Sequence, residues 1–412
     1  MAAPAESGVK DNGMRIGQAL STCIFLLFSF VLIDPLSAQM SILNSYQQNF
    51  IRANLSMKAD ILKDAATDER AKEFIGQLYE FALNFALQNA EILKDDPDMI
   101  ALVGVAAKGA GNSEYKAGAD TLWQVFQAYP DSFNRVAILD SLAVLGKGNV
   151  RLVENLNQYL AGQNRLFRNG VNPDYPSVSA CVSALGQLGD ASSFPVLFSV
   201  YTASYPENIS QLASSALNSL PGDYKQFLAD VIRRNPPADK LAALKTGVNN
   251  SRFGPSEQGQ LAEIALEQGL GVSPERSDED AAFSELRYTA IETFIRLRWT
   301  PGSGLAVRHF YRVQTDYQNG KVPRERLLEL INCLGVMESS EAAQALALYL
   351  GLANAQTEKN GIYDESLVFA VIKALGTLGD KSAFDHLLYI SYLPYPDHIQ
   401  AAAKEALTHL KW

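Results

Sequence analysis

The chain has 412 residues, of which 47% are hydrophobic and 19% charged. That composition belongs to a folded globular or repeat protein and argues against a disordered one. The formal net charge of −10 argues against a general nucleic-acid binder.

Residues 1–13 carry Glu6, Lys10 and Asp11 and read as an unstructured extension, with Met14 as an alternative start. Met14 to Ala38 has the layout of a secretory signal peptide. Arg15 supplies a positive start, Cys23 to Ile33 is an uncharged apolar run of eleven residues, and Asp34-Pro35 breaks it. Small residues at Ser37 and Ala38 then predict cleavage before Gln39. The run is short for a bilayer span, although an uncleaved anchor is the competing reading. No cysteine follows the cleavage region, which disfavours a lipoprotein. The expected location is the periplasm or the exterior of a bacterial cell.

Two short helices are predicted between Ser41 and Ala66, the second starting near Ser56. A longer one is predicted from Ala71 to Asn89, with Phe74, Leu78, Phe81, Phe85 and Gln88 along one face. Gly109-Ala110-Gly111 reads as a turn, as does Gly302-Ser303-Gly304. Leu78 to Leu83 (LYEFAL) is echoed by Leu261 to Leu266 (LAEIAL) at an offset of 183, and Ile51-Arg52 by Ile232-Arg233 at 181.

The strongest internal match pairs residues 181–220 with 371–410, which share 16 of 40 residues without a gap at an offset of 190. Such a match marks duplication. In the two copies Ile209, Ala213, Ala216, Leu217, Leu220 and Ile399, Ala403, Ala406, Leu407, Leu410 form apolar stripes at helical spacing. Tyr205-Pro206-Glu207 and Tyr395-Pro396-Asp397 precede the stripes, and Tyr129-Pro130-Asp131 is a third instance. Proline suits a first helical turn, where its missing N–H has no intrahelical partner, and the acid favours the positive end of the helix dipole. Leu185 to Asp190 and Leu375 to Asp380 read Leu-Gly-x-Leu-Gly-Asp. Gly189 and Gly379 suit left-handed C-terminal caps, Asp190 and Asp380 suit N-caps, and Gly186 and Gly376 leave room for a neighbouring helix. The unit is helix, short turn, helix, cap.

Gly162 to Asp174 and Ala353 to Asp364 stand out as equivalent insertions, each carrying Asn-Gly, and are predicted to project as loops from one edge. Residues 247–260 and 271–280 are further polar breaks.

Between Arg287 and Arg326 lie Arg287, Arg296, Arg298, Arg308, Arg312, Lys321, Arg324 and Arg326, opposed by Glu292, Asp316 and Glu325. This basic island interleaves Trp299, Tyr311 and Tyr317. A helix from Leu305 to Gln318 turns Val307, Phe310, Val313 and Tyr317 inward and leaves Arg308 and Arg312 outward. Candidate binding residues are therefore Arg296, Arg298, Trp299, Arg308, Tyr311 and Arg312, joined by Arg165 and Arg168 from the first insertion. The competing reading is that these arginines lie over core and pair with nearby acids.

Catalytic motifs are missing: there is no phosphate loop, no Gly-x-Ser-x-Gly and no His-Glu-x-x-His. Of four histidines, His386, His398 and His409 share the second copy, yet Val196, Asn208 and Ser219 replace them in the first, so no metal site is expected. Glu91/Asp95 and Asp278/Glu279/Asp280 read as helix-end and loop carboxylates. Cys181 and Cys333 are predicted to be free and buried, because the repeat pairs them with Val371 and Val144.

The Leu-Gly and Gly-Asp pattern resembles the HEAT repeat, most closely over 133–220 and 323–410. The resemblance departs where many such repeats carry Val-Arg: here those positions hold Ile209-Ser210 and Ile399-Gln400. It implies an all-α class, an α-α superhelix built from two tandem modules: 39–222 and 223–412, after an N-terminal segment 1–38. An exported, monomeric, non-catalytic scaffold without cofactor follows, binding a protein partner on its concave face or loop edge. The alternatives are an envelope-attached binder of an anionic lipid headgroup or cell-wall polymer, and a small-molecule-binding enzyme.

Overall fold

The computed structural model describes residues 35–271 and 277–411. The signal-peptide run, the extension before it and residues 272–276 lie outside the described residues. Within them the protein is an all-α solenoid: twenty α-helices joined by short turns and 3-10 segments, with no β-strand beyond one backbone bridge between Asp380 and Lys411. No described helix is long and apolar enough to cross a membrane.

The helices group into two compact units by contact, and each is a two-layer stack. The first unit contains the described residues through Leu152 together with Asp174–Leu188. Its helices are α1 (Pro35–Arg52), α2 (Leu55–Thr67), α3 (Ile75–Leu93), α4 (Pro97–Asn112), α5 (Ala119–Ala128) and α6 (Ser132–Leu145). After α7 (Val150–Arg168), which belongs to the second unit from Val153 on, comes α8 (Tyr175–Leu188). One layer runs α1, α3, α5 and the other α2, α4, α6, α8. Leu78, Leu83, Leu102, Leu122, Ile138 and Leu142 are fully buried between them.

The second unit continues with α9 (Phe194–Thr202), α10 (Glu207–Ser219), α11 (Tyr224–Arg234), α12 (Pro237–Val248), α13 (Pro255–Leu270) and α14 (Ser277–Leu297). Then follow α15 (Ser303–Gln318), α16 (Arg324–Gly335), α17 (Ser340–Asn360), α18 (Glu365–Leu378), α19 (Phe384–Tyr389) and α20 (Asp397–Thr408). One layer is α9, α11, α13, α15, α17, α19, and α12, α14, α16, α18, α20 form the other. Each helix covers the apolar stripe of the next, which is why an isolated hairpin of this kind has no core of its own. This grouping by contact differs from the modules defined by sequence duplication; the two describe different things.

The duplication is written into the local structure. At an offset of 190, α8 corresponds to α18 residue for residue, and the 3-10 turn Ala191–Ser193 to Lys381–Ala383. Gly189 and Gly379 both adopt left-handed backbone, with φ of 67° and 66°. Asp190 and Asp380 each accept the amide of the serine two residues on, at 2.9 Å. Gly376 does admit a neighbour, with the Ala406 Cβ 3.1 Å from where its own would stand.

Several expectations are corrected. The helix expected at Ala71 starts at Ile75, because Asp68 accepts the Arg70 amide and holds residues 69–71 in a 3-10 turn. Gln88 is exposed; the buried face of α3 is Leu78, Tyr79, Ala82, Leu83 and Ala86. Pro206 and Pro396 sit at the N-cap, one place before the first turn, with extended ψ of 145° and 155°. Gly109 and Gly111 lie inside α4, where the Tyr79 ring and Ser141 press on them. The first part of each insertion is helix: α7 and α17 run into them to Arg168 and Asn360, and only residues 169–174 and 361–364 are non-helical, with Gly170 at φ 78° and Gly361 at 65°. ANAQTEKN contains good helix formers and no breaker, so propensity favours continuation. The polar break 247–260 shrinks to 249–254. Cys181 and Cys333 are fully buried and are not joined in a disulfide, yet Val144, the proposed partner of Cys333, is 49% exposed.

Candidate interaction face

Helix α15 begins after the 3-10 turn Thr300–Gly302 and buries Ala306, Val307, His309, Phe310 and Val313. Its period leaves Arg308, Tyr311 and Thr315 on the solvent side. Arg308 is exposed and has no hydrogen bond or ion pair among the described residues, and Tyr311 is 41% exposed. Arg312 is half-buried, with its Nε 3.9 Å from Asp316.

Most of the basic island is engaged internally. Arg287 is buried on α14 and donates Nη1 to the Gly269 carbonyl at 3.0 Å. Burial, with Arg312 nearby, pushes its pKa down, and Asp280 and Asp316 oppose that shift. His309 is buried beside them, 5.6 Å from the Tyr288 ring. Burial first, and then the charges of Arg287 and Arg312, push its pKa down to about 3, so the imidazole is neutral. Arg296 donates to Gln258 at 2.9 Å, and Arg326 pairs with Glu329 at 3.1 Å while lying 3.8 Å over the Tyr288 ring. Arg324 lies 3.8 Å from Glu325 and 3.9 Å from Asp364. Lys321 and Arg298 are exposed, and Arg298 occupies a left-handed turn position with φ 50°.

Two candidates have structural roles. Trp299 is half-buried; its Nε1 donates to Glu263 at 3.2 Å, and its ring fills the space over Gly259, where a Cβ would meet it at 2.4 Å. Tyr115 does the same over Gly76, so the device is duplicated. The matched segments in fact begin at Gly76-Gln77-Leu78 and Gly259-Gln260-Leu261, a sequence signal two residues longer than the echo noted above. Arg168 binds Asp239, which is fully buried and also accepts from Ser199 at 2.5 Å, Thr202 at 2.6 Å and Asn235 at 3.1 Å. It ties α7 to α9 and α12. Arg165 remains exposed.

Sequence reading missed two further duplicated devices. Lys58, buried on α2, donates to the Phe50 and Ile51 carbonyls at the end of α1; Lys240, buried on α12, donates to Ile232 and Arg233 at the end of α11, at 2.5 and 2.8 Å. A cation there satisfies orphan carbonyls and favours the negative end of the helix dipole. The offset is 182, so the echo read at 181 was one residue out of register. The second device is Asn164 donating to the Val196 carbonyl at 3.2 Å and Asn354 to His386 at 2.9 Å.

Among the described residues no group of three or more His, Cys, Asp or Glu is placed to hold a metal ion. A shallow cleft between α18 and α20 is lined by Lys373, Thr377, Glu405 and His409, and the 2.9 Å Lys373–Glu405 pair occupies it.

No protein-family profile matches the chain, and no curated protein matches it. One solved structure, described as a crystal complex of SYS-1/POP-1, aligns with 97% of this chain and 100% of its own at 13% identity, with a TM-score of 0.25. At that score the likeness carries no argument.

Proposed function

We propose that the chain is an exported, non-catalytic scaffold of HEAT type that binds a protein partner. The observation that carries this is the outer face of α15, where Arg308 stands unpaired beside exposed Tyr311 on a packed two-layer stack. A cation left in solvent next to an aromatic side chain is suited to an interface, where Arg and Tyr are enriched. The export reading rests on the apolar run Cys23 to Ile33 and the small residues before Gln39. An anionic lipid or polymer surface is less favoured, because Arg287, Arg296, Arg324 and Arg326 are already engaged within the fold.

The test is affinity capture from envelope extract at low salt, comparing the wild-type chain with a variant in which Arg308 and Arg312 are both replaced by Gln. A specific protein retained by the wild type and weakened in the variant supports the reading. Unchanged retention removes the α15 face from it, and no specifically retained protein removes the scaffold reading. Fractionation with N-terminal sequencing tests export: a chain starting at Gln39 outside the cytosol supports it, and an intact Met14 segment in the cytosol overturns it.

A further inference from the structure

The duplicated chain contains its own control. Where exposed positions at the same repeat register carry different residues, the difference shows what distinguishes the surface of one copy from that of the other. On α15, Arg308 and Tyr311 correspond to Gln124 and Gln127 at an offset of 184, the register set by the rings of Tyr115 and Trp299. On α17, Leu348 and Leu352 correspond to Gln158 and Gly162 at 190, the register set by Asn164 and Asn354. On α19, exposed Tyr389 corresponds to Ser199, which is buried and bonded to Asp239, so the two copies differ there in burial as well as in residue. The three glutamines are exposed, as are their counterparts: Leu348 and Leu352 are 53% and 56% exposed, and Tyr389 is 40%. Three solvent-facing glutamines of the first copy, Gln124, Gln127 and Gln158, stand where the second copy carries Arg308, Tyr311 and Leu348.

These residues share one surface. Helices α15 and α17 run parallel, since Gly304 lies against Glu341 and the Phe310 and Tyr349 rings stand 5.8 Å apart. Helices α17 and α19 also run parallel, since Gly351 lies against His386 and the Tyr389 hydroxyl donates to Glu358 at 2.8 Å. Tyr311, Leu348, Leu352 and Tyr389 therefore cross the solvent side of three neighbouring helices. Arg308 and Arg312 border them, and Lys359 is exposed at the far end of α17. Of the adjacent acids, Glu358 is engaged by Tyr389, Asp316 lies by Arg312, Glu341 stands at the near end of α17, and Asp385 is exposed one turn before Tyr389 on α19.

We infer that this face, across α15, α17 and α19, docks an amphipathic helix of a partner protein, with leucine-type side chains on one stripe and carboxylates flanking it. Leu348 and Leu352, exposed one turn apart on α17, offer an apolar strip against which the leucine stripe of a docked amphipathic helix can pack. The unpaired Arg308 selects acid at the border, which favours orientation and association rate. The inference rests on the scaffold reading above and names the segment that the scaffold would hold.

The experiment selects binders from a displayed library of helical peptides about five turns long, using the full chain as bait and counter-selecting against a variant carrying the first-copy residues, Arg308→Gln, Tyr311→Gln and Leu348→Gln. The substitutions are all at the surface, and thermal unfolding checks that the variant keeps the wild-type fold. The expected result is enrichment of peptides with leucine stripes and Glu or Asp flanks, bound at least about tenfold more weakly by the variant. No enrichment, enrichment of basic peptides, or equal binding by the variant overturns the inference; equal binding leaves the scaffold reading standing if the envelope capture succeeds. Two further measurements use the same pair. Phosphatidylglycerol vesicles that bind the wild type and not the variant would assign the face to a membrane. A concentration-dependent dimer lost in the variant would assign it to a second copy. Either result overturns the peptide assignment.

Discussion

Replacing Asp239 with Ala removes the acceptor at the centre of the network on α7, α9 and α12. The carboxylate is fully buried and receives Arg168, Ser199, Thr202 and Asn235. Removing one member of a buried charge pair costs about 3–5 kcal/mol, because the other charge is left uncompensated. The lower end applies here. The Arg168 side chain is 22% exposed, so it can turn part of its charge to water, and Thr202 retains the Phe198 carbonyl at 3.0 Å. We therefore expect about 3 kcal/mol from urea unfolding, with amide exchange accelerating first in α9 and α12. Arg168→Ala should cost less than Asp239→Ala. The double variant should cost less than the sum of the singles, with a coupling of about 0.5–3 kcal/mol. An Asp239→Ala loss within about 0.5 kcal/mol of zero would refute the claim that this network holds the helices together.

Other outcomes follow from the same structure. Burial lowers the Lys240 pKa to about 8 from its usual 10.5, so the unfolded chain binds more protons between those values, and wild-type stability should rise with pH across that window. Comparing the melting temperatures of wild type and Lys240→Met isolates this: the difference should move in favour of the wild type as pH goes from 8 toward 10, and a constant difference refutes it. Gly259→Ala and Gly76→Ala should each destabilise by about 1–3 kcal/mol, because their new methyl groups meet the Trp299 and Tyr115 side chains at 2.4 Å; wild-type denaturant midpoints would contradict the duplicated wedge. Burial pushes both the Cys181 and Cys333 thiols far above their usual range, so peptide mapping after maleimide treatment of the native chain at pH 8 should find both unmodified, and both labelled in denaturant.

The fold was legible because duplication repeats its punctuation. Gly379 at φ 66° and Asp380 on the Ser382 amide do what Leu-Gly-x-Leu-Gly-Asp announces. Loops were over-read where polarity was taken for irregularity. Residues 353–360 are polar and helical, because they form the outward side of a long helix whose inward side is Asn354 and Thr357. The candidate site was half legible. Charge counting pointed to Arg308 and Tyr311 but could not separate these exposed residues from Arg287, Arg168 and Trp299, which are engaged within the fold. That distinction depends on which helix packs opposite, a long-range property with no local signature. Leu348, Leu352 and Tyr389 were passed over because apolar residues read as core until a neighbour is shown to be missing.

The buried lysines at 58 and 240 bear on how the chain responds to load. Each fastens the final carbonyls of one helix to the body of the next across a very short connection, Arg52 to Leu55 and Arg234 to Pro237. A pull along the backbone must rupture charged bonds at those two corners before either hairpin can peel apart. In a single-molecule extension trace, removing either clamp should lower the force at which its own hairpin yields and leave the other unchanged.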